Sequence, residues 1–370
     1  MLNNMNFNNY DLITSIVKEY FQIQESYLRE DGSVEFRIIP SKDMKQNFVK
    51  LVNNLKKNGF IAFLTKMNEE VVLIAGKITV TRTFGNRVPV ILFLLTLLTV
   101  IIDGYIRSIS FPKYEGWLMT CLYTLSIMGI VLIHEMGHKL TSAKHGAKSS
   151  LPYFIPGIPG VIPTLGAVIL SSEPPVNRDS LFDLGLSGPL SGLIVSIFVA
   201  IGGVLTSPII TIEEFKQLVE SGVIIEVKTL DIFTEFLLRL FIKPSSGAGP
   251  ILSPLLFASS LGFLITFLNL MPAWQLDGGH IARAALGKRW HKLTTYLSII
   301  VMGFLGFWTM AILLLLLSSM RAETRPLDDI SPLSKIRKIG FFLTIILAAA
   351  LFYFTIYNNP IFRLLIATQE

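Results

Sequence analysis

Long stretches of almost uncharged apolar sequence constrain this chain more than any other feature. A helix needs roughly 20 such residues to cross the hydrocarbon core of a bilayer. Six stretches approach or exceed that length, and they cover residues 88–102, 117–140, 181–205, 252–272, 293–320 and 339–357. Charged residues make up only 16% of the chain, against about 25% in soluble proteins. The sequence therefore predicts a polytopic α-helical membrane protein, and it excludes a cytosolic enzyme or a disulfide-stapled secreted domain.

The number of crossings depends on the fifth stretch, which Gly303 and Gly306 interrupt. One crossing gives six transmembrane helices, whereas a tight pair of short helices gives seven. The basic loop 321–338 favours seven, because lysine and arginine collect on the cytoplasmic side. The same rule predicts a cytoplasmic N-terminus and explains the net charge of +6 without a nucleic-acid partner.

Residues 1–85 differ from the rest, because they are rich in charge and contain no spanning stretch. Their patterns predict a small soluble α+β module in the order helix, strand, helix, strand, strand. The segments are Asp11–Tyr20, Val34–Ile39, Asp43–Asn58, Phe60–Lys66 and Val71–Ile78. No group of chemically reactive residues stands out here, so we expect a regulatory or partner-binding role. The remaining divisions are a core at 86–320 and a basic loop with a C-terminal transmembrane helix at 321–370.

The pattern H-E-x-x-H at residues 134–138 is the strongest chemical signal. On a helix, His134 and His138 project from one face and can bind one zinc ion, while Glu135 can take a proton from bound water. The pattern lies within an apolar stretch, where ionisable residues are costly and usually functional. The alternative is a helix end with interfacial histidine and glutamate side chains.

Catalytic zinc usually has three protein ligands, so a third is expected elsewhere in the chain. Asp277 ends the fourth apolar stretch, and its carboxylate suits zinc. The second and fourth stretches are separated by one crossing, so they run in the same direction. Both would bring their polar residues to the cytoplasmic third of the bilayer. The alternative for Asp277 is a simple turn after a helix.

The connection between the second and third stretches begins with a proline-rich segment at 152–160 and continues with a strand-like segment at 164–171. Irregular backbone at membrane depth is tolerated only where it is buried in protein or lines a cavity. We therefore predict a membrane-associated β-hairpin beside the zinc, with Gly166, Ala167 and Val168 pairing with an unwound substrate. The alternative is an amphipathic cytoplasmic loop.

These residues resemble the site-2 protease family of intramembrane zinc metalloproteases. Three elements match in order: H-E-x-x-H, the G-x-x-x-G element Gly188–Gly192, and N-x-x-P-x-x-x-x-D-G from Asn269 to Gly278. The resemblance covers about residues 115–290. The N-terminal module and the segment 325–333 resemble the chloroplast and archaeal-type branch of that family.

The resemblance implies roles for individual residues. His134, His138 and Asp277 would hold one zinc ion per chain, and Glu135 would be the general base. Asn269 would stabilise the oxyanion or orient the substrate carbonyl. Residues implied to lie at the substrate cleft are Gly188, Gly192 and Pro272.

The function predicted for this multi-pass protein is therefore hydrolysis of peptide bonds in or near the transmembrane segments of other membrane proteins. Its partners would be such substrates and the lipid bilayer, and the oligomeric state is undefined. A metal-dependent transporter would need polar residues along several spans and an internal repeat, neither of which is visible. An inactive, protease-like binding protein would have no use for Glu135.

Overall fold

The computed structural model describes residues 2–78, 85–109, 111, 114–222, 231–242, 248–320 and 325–356. Parts of the predicted C-terminal division, residues 321–324 and 357–370, lie outside the described residues. The N-terminal module contains the helices α1 (Leu2–Lys18) and α2 (Met44–Lys57) and the strands β1 (Ile23–Leu28), β2 (Val34–Ile38), β3 (Phe60–Met67) and β4 (Glu70–Lys77).

The four strands of the module form one antiparallel sheet in the order β1-β2-β4-β3. The β3–β4 hairpin predicted from the sequence is present, and Asn68 and Glu69 form its turn with positive φ angles. Strand β1 was not predicted, because its partly buried residues fall every third position instead of alternating. The module is thus α+β with one strand more than the sequence predicts.

Two residues from outside the module complete its apolar core. Val176 and Leu327 are buried in the same cluster as Phe36, Phe48 and Leu64. The Leu64 N–H donates to the Leu327 carbonyl oxygen at 2.8 Å, so the segment at 327 runs beside the edge strand β3. The module is therefore joined to the rest of the chain through a shared core.

Apolar helices dominate the rest of the described chain. The elements are α3 (Arg87–Ser108), α4 (Gly116–Lys144), β5 (Tyr153–Ile158), β6 (Ile162–Val168), α5 (Arg178–Thr206), β7 (Ile209–Thr211), α6 (Ile212–Glu220), α7 (Ile232–Phe241), β8 (Ala248–Pro250), α8 (Pro254–Leu270), α9 (Asp277–Phe304), α10 (Trp308–Met320) and α11 (Lys335–Leu351). Among the described residues, α3, α4, α5 and α11 with its continuation to Phe354 are long and apolar enough to cross a membrane. Helix α8 is apolar but shorter. The class of membrane protein agrees with the sequence, and the count of six or seven spans stays a prediction.

The fifth apolar stretch is interrupted where the sequence predicts. Helix α9 ends at Phe304, Gly306 adopts a φ of 87°, and α10 starts at Trp308. The two helices pack on each other through a cluster that contains Met302, Ala311 and Leu314. Helix α9 begins earlier than predicted, at Asp277, and it is kinked at Gly287.

The hairpin predicted between α4 and α5 is also present, formed by the antiparallel strands β5 and β6. Its register is irregular between Phe154 and Pro156, whose partners are Ala167 and Thr164. The extra residue on β6 produces a bulge that contains Gly166, whose φ of 93° favours glycine. The hairpin packs against α3 through Phe93 and Phe154, with their ring centroids 5.3 Å apart.

Helix α5 lies at the centre of the membrane part and packs against α4, α8 and α9. Small residues allow the helices to approach closely. A methyl group added at Gly137 of α4 would meet the Ser187 carbonyl, and one at Gly262 of α8 would meet Ser196. Close packing of small residues is the usual means of helix association in lipid. It brings polar residues of α4, α8 and α9 together.

Candidate metal centre

Helix α4 carries three polar side chains that are buried or partly buried. His134 and Glu135 are 4% and 5% exposed, and His138 lies one turn further along. The Nε2 atoms of the two histidines are 3.2 Å apart. His134, Glu135 and His138 together form a cluster whose ligand atoms lie within 4.8 Å of one another and could hold a metal ion. The H-E-x-x-H pattern therefore folds as a helix with its polar groups directed inward.

Asp277 reaches this cluster from the start of α9. Its Oδ2 lies 3.2 Å from His134 Nε2, and its Oδ1 lies 3.2 Å from His138 Nε2. The chain makes a tight turn between α8 and α9 to achieve this. A methyl group on Gly278 would overlap the Leu270 carbonyl oxygen, so glycine is required for that turn.

The side chains of His134, His138 and Asp277 are close enough together to bind one zinc ion. Ligands about 2.0–2.1 Å from zinc at tetrahedral angles lie about 3.3 Å from one another. The two Nε2 atoms are 3.2 Å apart, and each lies 3.2 Å from a different oxygen of Asp277, so the spacing is close to this value. Both the two-histidine, one-aspartate set and the set that includes Glu135 are compatible with a metal. In the structure the Asp277 carboxylate contacts both imidazoles, and its place among the ligands stays a prediction.

Hydrogen bonds around the cluster favour metal binding. His138 Nδ1 donates to the Leu184 carbonyl oxygen at 2.9 Å, which leaves the lone pair of Nε2 directed at the site. The Asn269 Nδ2 atom, on the last turn of α8, lies 3.4 Å from His134 Nε2. Asn269 therefore lies at the edge of the cluster, and its catalytic role stays a prediction.

The glycines of α5 border the cluster directly. A methyl group on Gly188 would overlap the His138 imidazole, and one on Gly192 would lie 3.1 Å from His134 Nδ1. Both positions contact the proposed ligands, which makes them part of the wall of the site. Pro272 lies in the turn between α8 and α9, two residues after the end of α8.

Strand β6 ends close to Glu135 of this cluster. The backbone N–H of Ile169, the residue after β6, interacts with the Glu135 carboxylate. Gly166, Ala167 and Val168 are the three residues that directly precede Ile169, whose N–H is near Glu135. The side chains of Leu165 and Val168 are 64% and 47% exposed. Strand β6 therefore ends near Glu135, and the pairing of Gly166, Ala167 and Val168 with a substrate stays a prediction.

A carboxylate of α5, Asp183, contacts both a histidine and an arginine. In the structure Asp183 is a shared partner: its Oδ2 lies 3.1 Å from His145 Nε2, and both of its oxygens accept from Arg337, at 2.7 and 2.6 Å. Arg337 belongs to α11. These contacts hold the start of α11 to α4 and α5.

Two further charged clusters were not predicted. Asp103 of α3 is fully buried and bonded to Arg107 and Tyr123. Arg283 of α9 is 1% exposed and makes two hydrogen bonds to Asp329, at 2.9 and 2.7 Å. No local motif marks either cluster. A charged residue directly after the first apolar stretch was the one available signal for Asp103.

Comparison with known proteins now identifies the family. The model of peptidase family M50 matches residues 122–314, which contain the whole cluster. The chain belongs to peptidase family M50. That assignment confirms the resemblance to site-2 proteases based on the three sequence elements.

Curated proteins similar to this M50 chain include plant proteins. The probable zinc metalloprotease EGY1, chloroplastic, of Oryza sativa subsp. japonica is 27% identical over 236 residues, covering 60% of this chain and 38% of the relative. The corresponding EGY2 of Arabidopsis thaliana is 28% identical over 182 residues, covering 49% and 31%. The chain thus spans about a third of the length of these relatives, which agree with the predicted chloroplast-like branch. No solved structure matches the chain significantly.

Proposed function

We propose that the chain is an intramembrane zinc endopeptidase that cuts other membrane proteins in or near their transmembrane segments. The observation that carries this proposal is the contact of Asp277 with both histidines of the H-E-x-x-H helix at 3.2 Å. Two imidazoles and a distant carboxylate converge among apolar helices, with a second carboxylate beside them. Membership of peptidase family M50 supports the same chemistry.

Each polar residue of the cluster has a separate role in the proposed hydrolysis. His134, His138 and Asp277 would hold the zinc, which when bound polarises the scissile carbonyl and makes water more acidic. Glu135 accepts the proton of the attacking water and returns it to the leaving amine nitrogen. The Asn269 amide donates a hydrogen bond to the developing oxyanion, a contribution of about 3 kcal/mol in comparable sites.

The hairpin supplies the place for the substrate. A transmembrane helix must unwind before its backbone can reach the site, and its freed N–H and C=O groups then need partners. A strand edge such as β6 provides them by β-augmentation. Gly166, Ala167 and Val168 are positioned to pair with the residues next to the scissile bond.

The N-terminal module and its contacts support a regulatory role and a cytoplasmic location. Lys45 pairs with Asp179 at 2.7 Å, and Lys56 pairs with Glu173, so the module lies where α5 begins. The loops at this end are basic, which favours the cytoplasmic side. Leu327 lies in the core of the module and Asp329 binds Arg283 on α9, the helix that begins with Asp277. The module is thereby connected to the position of one proposed ligand.

The alternatives are a metal-dependent transporter and an inactive binding protein. Both classes of protein would contain a metal cluster, but neither needs Glu135 as a base. The buried position of Glu135 next to the cluster, at a cost in solvation, favours the peptidase.

The decisive experiment compares wild type with Glu135→Gln, purified in detergent and tested with a panel of single-span substrates. We expect both proteins to bind about one zinc ion per chain and only wild type to cut. Glu235→Gln, which changes a partly exposed glutamate paired with Arg239 on α7, is the matched control and should cut like wild type. Equal cutting by Glu135→Gln would remove Glu135 from its role, and absence of zinc from wild type would contradict the proposal as a whole.

A further inference from the structure

We infer that Asp103, together with Arg107, fixes the depth of the β5–β6 hairpin and so determines which substrate bond reaches Glu135. This inference rests on the proposed function, since it concerns the register of the substrate along β6. It assigns a positioning role to a charged pair in the first spanning helix, far from the proposed ligands in sequence.

Asp103 is a fully buried carboxylate whose two oxygens have four hydrogen-bond donors around them. Oδ1 accepts from the Gly160 backbone N–H at 2.6 Å and from Arg107 Nη2 at 3.2 Å. Oδ2 accepts from Arg107 Nε at 2.8 Å and from the Tyr123 hydroxyl at 2.5 Å. The guanidinium carbon of Arg107 lies 3.5 Å from the centroid of the Phe257 ring, so the cation is covered as well.

Arg107 is four residues after Asp103, and the two could neutralise each other within α3 alone. The bond to Gly160 is therefore additional, and it is made to the tip of the hairpin. Gly160 has a φ of 85° and lies between the paired residues Ile158 and Ile162. A second contact nearby, from the Thr99 hydroxyl to the Pro163 carbonyl at 2.8 Å, holds the start of β6 to the same helix.

The hairpin thus connects two buried charged sites. Its tip is bound to Asp103 at one end, and the Ile169 N–H meets Glu135 at the other. Strand β6, Ile162–Val168, spans roughly 20 Å between them at about 3.3 Å per residue. Helix α4 runs in parallel, because it carries both Tyr123 and Glu135.

The register of the substrate along β6 depends on where the hairpin is held. A substrate paired with β6 presents a different peptide bond to Glu135 for each slip of about 3.3 Å along the strand. A tip that is released from Asp103 can move along α3 by such a distance. The carboxylate therefore acts on the reaction through the hairpin and does not touch the substrate.

The test replaces the charged pair with an apolar pair, Asp103→Leu with Arg107→Leu, which suits an apolar span. Wild type and variant receive the same single-span substrate, and the products are mapped by mass spectrometry. We expect the variant to keep its zinc, to spread cutting over neighbouring bonds, and to lose about tenfold in kcat/KM from misplacement of the substrate. Asp103→Asn with Arg107→Gln keeps an oxygen acceptor for the Gly160 N–H and should restore the wild-type cleavage position.

A second measurement does not depend on activity. Cys121, the only cysteine of the chain, is replaced by serine, and a cysteine is placed at the hairpin tip as Val161→Cys, a position 47% exposed. Its rate of reaction with a maleimide should rise several-fold when the Asp103–Arg107 pair is made apolar. Ser126→Ala, which removes a hydroxyl bonded within α4, is the matched control and should change neither readout.

The outcomes separate the two proposals. A zinc-loaded apolar variant with the wild-type cleavage position and labelling rate overturns the role of Asp103. If that variant loses zinc, Asp103→Ser, whose hydroxyl is too short to reach Gly160, is judged by the same two readouts. If wild type cuts no substrate, the peptidase assignment fails, and the labelling rate alone decides whether Asp103 holds the hairpin.

Discussion

Asp277 and Asp103 are both carboxylates among apolar helices, yet their surroundings differ in kind. Asp103 faces an arginine, a tyrosine hydroxyl and a backbone N–H, and all of these are donors. Asp277 faces two imidazole nitrogens at 3.2 Å, and one of those rings already donates its other N–H to Leu184. The first carboxylate is neutralised by the protein itself, whereas the second is surrounded by groups with lone pairs to share.

This difference distinguishes the structural carboxylate Asp103 from the proposed ligand Asp277 without reference to any motif. A buried charge is stable only when it is paired or bound to a metal. Arginine serves the first purpose, because it stays protonated and presents several donors. Neutral imidazoles serve the second, because they offer lone pairs to the same cation as the carboxylate. Asp329, bonded to Arg283, belongs with Asp103.

The largest effect on zinc binding should come from removing the carboxylate of the proposed ligand Asp277. Asp277→Ala should lower zinc affinity by more than the ten- to hundredfold that loss of an outer-shell partner costs, and cutting should cease. Zinc content is measured by mass spectrometry after dialysis against a weak chelator. The apolar Asp103/Arg107 pair is the contrasting variant and should keep its zinc. Full zinc occupancy in Asp277→Ala would show that Asp277 is not a ligand and does not differ from Asp103 in this respect.

A smaller effect is expected from adding a methyl group to the wall of the metal site. Gly188→Ala should displace the His138 ring, because the new methyl group overlaps it, and overpacking of this kind costs about 1–3 kcal/mol. The expected result is weaker zinc binding and a lower melting temperature by thermal shift.

Gly129→Ala on α4 is the matched control, since a methyl group there has no neighbour within 4 Å. It should be neutral or slightly stabilising, because alanine favours helix more than glycine does. Identical zinc affinity and melting temperature for the two variants would show that close contact with α5 does not shape the site.

The smallest effect should come from changing Asp329, the carboxylate that is paired with Arg283 and lies outside the hairpin. Asp329→Asn weakens the link between Arg283 of α9 and the segment that enters the module core. We expect zinc to remain bound, cutting to change two- to tenfold (about 0.4–1.4 kcal/mol), and limited proteolysis at the module to accelerate. Arg239→Gln on the exposed pair of α7 is the control. A variant indistinguishable from wild type in rate and proteolysis would leave the module without a connection to the site.

The sequence predicted what local patterns encode. His134, Glu135 and His138 share one helical turn, and Asp277 follows from a motif and from the direction of its span. Strand β1 was missed because its exposure does not alternate. Asp103 is bonded to Arg107 within its own helix but also to Gly160, 57 residues away, and Asp329 is bonded to Arg283, 46 residues away; no short pattern marks such distant contacts. Long-range pairing of charges depends on how the helices pack, which periodicity alone does not define.

The burial of Leu327 in the N-terminal module has a consequence for biosynthesis. Translation produces residues 1–78 before residue 327, but their apolar core is complete only when residue 327 has been made, after most of the hydrophobic helices. The module is therefore synthesised before these helices and completed after them. Maturation of the module thereby reports that the intervening helices have been inserted, and a ribosome that stops before residue 327 releases a chain whose module still lacks part of its interior.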